Sequence, residues 1–470
     1  MGTALHRPHE PGNSAQSRVF RPPEVTAPSP AWLRSAPAFL RRRLEGRTNL
    51  LAVIHNTGWL FADKTMRMVM GVLVGAWVAR YLGPSLYGEL AYVLAFVAFF
   101  SVICQLGLDA VAIRDIARDE HAAPAILGTA LRLRLITGFG AYGAAIGGMA
   151  LLRPGDARAV VLTAIVAGTV VFQAVDTCDL WFQSQMQSRR TIAAKGVSYL
   201  VANGLKVLLI LAQASLFAFA VVGLLEVALA AVALGVAYRR FPAPSRWRWE
   251  PQWASQMMRE SWPYLLAGLA ISIYMRIDQV MLRGMVSEHE LGIYSAALPV
   301  STAWSFIPMA ISVSVGPTIA RRKQSDPVAY ERAIAQLFSL MWWVMLPLSV
   351  AVALAAGPIV AFLYGDAYSA SAGVIAIHVF ANVPIALGIA QTTWIVNEKQ
   401  NMISLYRTAL GAVSNVILNL LLIPLHGALG AAIASVGAQL VAAMFSNLVL
   451  APRIFVMQIS SLLQVRALRR

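Results

Sequence analysis

Long apolar runs, separated by short turns that hold the charged, Gly and Pro residues, recur from residue 59 to residue 450. A helix needs about 20 predominantly apolar residues to cross a bilayer. Twelve stretches meet that length: 59–81, 86–108, 124–152, 158–182, 196–213, 216–238, 261–284, 291–316, 334–363, 370–395, 403–424 and 427–450. They are continuously apolar rather than alternating, which excludes a β-barrel. The pattern predicts an all-α polytopic membrane protein with about twelve transmembrane helices in two pseudo-symmetric six-helix lobes. The division that follows is a disordered basic tail (1–48), an N-lobe with spans one to six (49–240), a linker (241–260), a C-lobe with spans seven to twelve (261–450) and a second basic tail (451–470).

The two lobes read as a repeat. Gly88 opens span two and Gly292 opens span eight, and the two spans end in Ile116-Ala117-Arg118 and Ile319-Ala320-Arg321. Gly223 of span six and Gly430 of span twelve stand at a similar separation. Six crossings per half make the halves parallel, related by an axis along the membrane normal.

Composition agrees: 58% of the 470 residues are hydrophobic, 13% are charged, and the net charge is +16. That charge has a topological explanation. Of the 38 Lys and Arg residues, only Arg80, Arg153, Arg158 and Arg283 fall in one set of loops, while most flank the opposite ends of the spans. The positive-inside rule then puts both termini in the cytoplasm, and nucleic-acid binding is not needed to account for the basicity. No signal-peptide core follows the early basic residues. Ala31–Gly46, which mixes Trp, Leu and Phe with Arg, suits either an anionic membrane surface or a solvated tail. Cys104 and Cys178 both fall within spans, so neither a disulfide framework nor a metal site is expected. No Walker A motif occurs and no cofactor is expected.

Ionisable residues inside the spans are the exceptions to the pattern, and such residues default to a bundle-interior or functional role. Span one carries Asp63, Lys64 and Arg67; span three Arg132 and Arg134; span five Lys206; span six Glu226; span seven Arg276 and Asp278. Each has a structural alternative. Asp63 and Arg67 are spaced to pair along one helix. Arg132 and Arg134 point to different faces, so at least one snorkels to the inner surface, and Lys206 has the same option. Arg276 and Asp278 both fall deep in span seven, where an interhelical ion pair locking the lobe is the structural alternative. Asp176 and Asp179 near the inner edge read as headgroup-level residues, His378 as a lone group, and Asn415 with Asn419 as helix-to-helix glue.

Asn56, Trp59, Lys64 and Arg67, the turn ARYLGPSLYG and the exit IRDIAR together resemble the polysaccharide-repeat flippases. These belong to the superfamily that also holds multidrug and toxin extrusion antiporters and lipid II flippases. The stretch YMRIDQVML…GIYSAA resembles the same family's seventh and eighth helices, and NEKQNM and HGALGAAIAS are similar to its later segments. The resemblance spans roughly residues 50–450. It implies a two-lobe fold with a central cavity, moving undecaprenyl-pyrophosphate-linked oligosaccharide across the bacterial inner membrane, with polymerase and export machinery as possible partners.

A pyrophosphate leaving the headgroup layer needs cations to replace water, and guanidinium groups grip phosphate oxygens bidentately. Lys64, Arg67, Arg132, Arg134, Lys206 and Arg276 are the candidates for that task, and Asp63, Asp278 and Glu226 are candidates for ion pairing or coupling. A cation-coupled multidrug antiporter of the same fold is the nearest alternative. A lipid II flippase would be expected to carry further helices after span twelve. A glycan polymerase or ligase would be expected to carry catalytic groups in a sizeable outer loop, and the outer loops here are short, so the chain reads as a transporter and not an enzyme.

Overall fold

The computed structural model describes residues 48–463 apart from 242 and 245, with side chains from residue 64 onward. The tail expected at 1–48, except Thr48, and the side chain of Asp63 lie outside the described residues. The chain divides into two units, Met1–Phe61 and Ala62–Arg470. Of the first, residues 48–61 are described and are helical. All that follows concerns the second.

Among the described residues every regular element is helical. The N-lobe holds α1 (Thr48–Gln105), α2 (Leu108–Arg118), α3 (Ala123–Leu152), α4 (Ala157–Phe172), α5 (Thr177–Ser184), α6 (Ser188–Leu211) and α7 (Leu216–Arg240). The C-lobe holds α8 (Pro251–Met285), α9 (Glu288–Thr302), α10 (Phe306–Ser325), α11 (Pro327–Leu363), α12 (Ser371–His378), α13 (Asn382–Glu398) and α14 (Asn401–Leu440), then a π-helical turn at Val441–Phe445, α15 (Asn447–Leu450) and α16 (Pro452–Leu463). Helices dominate because lipid offers no partner to a backbone N–H or C=O, so each span must satisfy its own.

Among the described residues ten helical stretches are long and apolar enough to cross a membrane. Two of them are each a pair of spans, broken at Gly83 (φ 73°) and Gly427 (φ 53°), which gives the twelve crossings expected. Both breaks adopt backbone conformations that suit glycine. The Glu290 carboxylate fixes the second by accepting from the Ala428 N–H at 2.8 Å. Spans four, eight and ten are interrupted by 3₁₀ turns at Gln173–Asp176, Ala303–Ser305 and Val379–Ala381.

We call outer the face that bears Arg80, Arg153, Arg158 and Arg283, and inner the opposite one. The outer halves of both lobes share one hydrophobic core, in which Val93 and Val97 of span two join Ala296 and Val300 of span eight and Ile375 of span ten. The inner halves do not. One inner core is built from N-lobe residues such as Leu108, Ile126 and Phe182 with Met257 of α8, the other from C-lobe residues such as Phe338, Leu387 and Ile454. The lobes are therefore packed together on the outer side, and the cleft between them opens inward. Large apolar side chains such as Ile136, Leu211, Leu354 and Phe362 stay exposed, as a lipid-facing surface requires.

The outer seal is a contact between backbones. A Cβ added at Gly88 would overlap the Glu288 carbonyl and crowd the Gly292 nitrogen, and one added at Gly292 would overlap the Pro84 carbonyl. The two glycines that mark the sequence repeat thus pack on each other's helices reciprocally, which puts the pseudo-two-fold axis between them. Ion pairs flank the contact on both lobes: Arg158 with Glu89 at 3.0 Å, and Arg283 with Glu288. The Tyr368 hydroxyl closes it further by donating to the Ala79 carbonyl at 2.7 Å. On the inner side, Gly107 packs against the Ser261–Leu265 backbone and Arg114 pairs with Glu260 at 2.5 Å, so span two stays tied to span seven.

Two boundaries differ from the sequence expectation. The linker at 241–260 is non-helical only to Glu250, because Pro251 can start a helix without losing a needed hydrogen bond. The stretch 451–470, expected as a tail, begins with α16, which buries Ile454, Gln458 and Ser461.

A Gly88→Leu variant should disfavour the closed outer seal by about 1–3 kcal/mol through overpacking. In a background lacking Cys104 and Cys178, a cysteine placed at buried Ala296 should then react with an impermeant maleimide added outside. Labelling no faster than in the Gly88 parent would refute the seal.

Candidate functional site

The inward cleft is the place where a substrate would meet ionisable side chains, and the structure sorts those residues into two groups. The first group is paired or hydrogen-bonded inside a lobe. Arg134 is buried in α3 and paired with Asp109. Lys206 of α6 and Glu226 of α7 pair at 3.2 Å. Lys195 reaches Asp176 at 2.8 Å and Asp179 at 3.4 Å, and Thr191 donates to Asp179 at 2.5 Å. Asp176 and Asp179 are therefore members of an ion-pair cluster and not free headgroup-level carboxylates. Asp278 is 4% exposed and accepts from the Tyr294 hydroxyl, from the Gln279 N–H at 2.7 Å and from Ser435 at 3.4 Å.

The second group faces outward from its lobe. Arg276 is exposed in mid-span and, among the described residues, makes no ion pair. Residues two apart on a helix face nearly opposite ways, so Asp278 turns into the C-lobe and Arg276 turns out of it. Among the described residues neither Arg276 nor Asp278 makes an ion pair with another helix. Lys64 is exposed as well, with its Nζ 3.7 Å from Met309 Sδ of α10, across the cleft. The guanidinium of Arg67 lies 4.7 Å over the Tyr199 ring, whose hydroxyl donates to the Arg67 carbonyl at 3.0 Å. Arg132 is exposed beside Trp249, 5.8 Å from its ring, which fits a snorkelling side chain.

Lys206 and Glu226 also line a cavity of about 380 Å³ inside the N-lobe, together with Tyr87, Thr169, Tyr199 and Asn203. Lys206, a candidate for the phosphate path, and Glu226, a candidate for pairing or coupling, are thus each other's partners, and Tyr199 and Asn203, which carry no role in the sequence analysis, stand beside them. One signal was present: positions 199, 203 and 206 share a helix face at i, i+4 and i+7. In the C-lobe, buried His378 contacts Ser301 at 2.9 Å and stacks edge-on against Tyr294, while Asn382 donates to the Ser301 carbonyl at 2.7 Å. Asn419 donates to Asn415 at 3.0 Å within one buried face of α14, a bond inside one helix rather than the helix-to-helix contact expected. Cys104 and Cys178 are both buried.

Comparison with known proteins gives a consistent picture. Residues 53–323 match the family model described as polysaccharide biosynthesis protein, and residues 263–421 match the MatE model. A probable flippase, AglR of Haloferax volcanii, is 33% identical over 168 residues, covering 34% of this chain and 35% of that one. The alignment thus spans about a third of that relative's length. Among solved structures, the lipid II flippase MurJ in an inward closed conformation superposes with a TM-score of 0.69 at 12% identity, over 87% of this chain and 91% of that one. An inward-facing multidrug resistance MATE transporter gives 0.67 at 15% identity, over 84% and 96%. At such identities these structures establish the shared two-lobe helical fold.

The Lys206–Glu226 pair is expected to act as a unit. Lys206→Met or Glu226→Leu alone should cost about 1–3 kcal/mol by stranding a charge, while the double variant recovers most of it. Thermal unfolding in detergent measures this, and a double variant as unstable as the two losses added together would exclude a structural pair.

Proposed function

We propose a lipid-linked glycan flippase from one premise: the chain belongs to the polysaccharide biosynthesis protein family. It is a multi-pass membrane transporter of the multidrug/oligosaccharidyl-lipid/polysaccharide exporter superfamily. Its cargo on this reading is an oligosaccharide carried on undecaprenyl pyrophosphate, moved from the inner to the outer leaflet of a bacterial inner membrane with both termini cytoplasmic. The observation that carries the reading is Arg276, an exposed mid-span guanidinium without an acidic partner among the described residues. A bare cation in the bilayer is costly, and an anionic cargo entering the inward cleft would remove that cost.

Lys64 and Arg67 complete the path on the N-lobe side. The remaining cations have other employment: Arg134 and Lys206 are neutralised within the N-lobe, and Arg132 sits at the rim beside Trp249. The glycan occupies the cleft, and the polyprenyl tail stays in lipid. Rocking of one lobe against the other exchanges the outer seal for an inner one. Transfer of this kind needs no covalent step, so the protein is read as a transporter and not an enzyme.

A cation-coupled antiporter is the second reading, favoured by the buried Asp278 with its Tyr294 and Ser435 partners. One assay separates the two. A strain deleted for this chain should accumulate complete undecaprenyl-linked repeat units on the cytoplasmic side, and the wild-type chain should relieve the block. Arg276→Ala should lower transport at least about tenfold, as expected for losing a charge-assisted contact, at unchanged protein level. Arg134→Ala should instead lower the protein level by unpairing Asp109. Normal export in the deleted strain, or full activity of Arg276→Ala, would sink the flippase reading.

A further inference from the structure

Each lobe places a cation on the same helical hairpin, yet the two are compensated differently. In the N-lobe the hairpin is α5 and α6, and Lys195 faces Asp179, sixteen residues earlier, with Asp176 beside it. In the C-lobe the hairpin is α13 and α14, and Arg407 faces Gln391, again sixteen residues earlier. Both hairpins turn at a left-handed residue other than glycine, Met186 and Lys399. Where Lys195 meets two carboxylates, Arg407 meets only neutral acceptors. Its Nη1 and Nη2 both donate to the Gly388 carbonyl at 3.1 Å, Nη1 donates to Gln391 Oε1 at 2.9 Å, and Nη2 donates to Thr392 Oγ1 at 3.2 Å. Among the described residues no carboxylate lies within ion-pair distance of Arg407, and its Nε donates to none of them. The charge of Lys195 is cancelled, and that of Arg407 is not.

Neutral acceptors aim a guanidinium without neutralising it, and here they are themselves held. Gln391 Nε2 donates to Asn447 Oδ1 at 2.7 Å, and Asn447 Nδ2 donates to Gln458 Oε1 at 3.1 Å. The Ala443 carbonyl, in the π-helical turn, accepts from both Asn447 at 2.9 Å and Gln458 at 3.0 Å. Gln391, Asn447 and Gln458 are buried, so α16 anchors the far end of a rigid chain of amides whose near end is Arg407. The open side of the guanidinium lies at Thr392, which is exposed. Arg407 stands about 9 Å along α14 from its inner end, at 1.5 Å per residue, which is headgroup depth.

We propose that Arg407, aimed by Gln391 and Thr392, is a site for the phosphoryl group of a membrane lipid at the inner face of the C-lobe. The planar donor fork suits phosphate oxygens, and an incoming anion supplies the charge that Asp176 and Asp179 supply in the N-lobe. Two sources carry this chemistry, an inner-leaflet phospholipid and the pyrophosphate of a polyprenyl carrier. The inference goes beyond the flippase reading and does not require it, since any phosphoryl lipid meets the geometry.

The test uses the full chain in maltoside micelles, which carry no phosphate, titrated separately with phosphatidylglycerol and with undecaprenyl pyrophosphate and read by native mass spectrometry. Wild type should retain at least one of them, and the tighter one names the source. Arg407→Gln should bind it roughly 10- to 100-fold more weakly. Gln391→Glu should weaken it comparably, because it gives Arg407 the carboxylate that Lys195 already has while leaving the guanidinium in place. Should Arg407→Gln fail to assemble, Gln391→Glu decides alone. Retention of neither lipid by wild type, or equal retention by wild type and Gln391→Glu, overturns the proposal. The readout is binding, so loss of the flippase reading through Arg276→Ala leaves it unaffected.

Discussion

Backbone touches backbone where Gly88 and Gly292 cross, and the other features of the fold are arranged around that contact. Helices in lipid gain little from the hydrophobic effect on association, so close approach through small residues supplies the attraction. Because each glycine packs on the other's helix, the contact serves both lobes at once and sits on their symmetry axis. It draws the outer halves into one core. Among the described residues the inner halves pack as two separate cores.

An inward cleft of this kind imposes an electrostatic condition on the residues around it. Charges that point into a lobe are withdrawn from bulk water at one partner at least, and each of these has a counterpart: Asp109 for Arg134, Glu226 for Lys206, Asp176 and Asp179 for Lys195, and Tyr294 for Asp278. Breaking such a pair costs far more than a surface pair, because it leaves an uncompensated charge behind. Arg276 and Lys64 escape the condition only because they are exposed at the lobe surfaces.

The period and length of the apolar runs made the twelve crossings legible, and the glycine pair made the repeat legible. Both are strong signals because a bilayer enforces span length and a backbone contact tolerates no side chain. The ion pairs were not legible. Lys206 and Glu226 lie on different spans, and pairing across spans depends on helix rotation, which an apolar run does not encode. Arg276 and Asp278 show the same limit from the other side: both fall deep in span seven, and only the helix rotation shows that one turns out of the lobe while the other is buried. In sequence Arg407 is one more basic residue near a span end, and its distinctive feature is the absence of acids at Gly388 and Gln391, visible only when the N-lobe hairpin is set beside it. The start of α16 was missed because its apolar stripe is too short to read as a span.

The sorting of charges bears on how a two-lobe transporter can be driven. A ligand shifts a conformational equilibrium only through groups whose interaction with it differs between the states. Ion pairs closed within a lobe travel with that lobe and contribute equally before and after rocking, so Lys206–Glu226 and Lys195 with its two aspartates cannot be the lever by themselves. Arg276 and Lys64 are exposed at the lobe surfaces, and if the cleft closes over them, as the proposed reading has it, their desolvation opposes closure of an empty cleft. An anionic cargo reverses the sign of that penalty by supplying the missing charge. On the proposed flippase reading, cations facing the cleft would make the empty carrier reluctant to close and the loaded one ready to do so, which is the thermodynamic requirement for moving cargo without a wasted cycle.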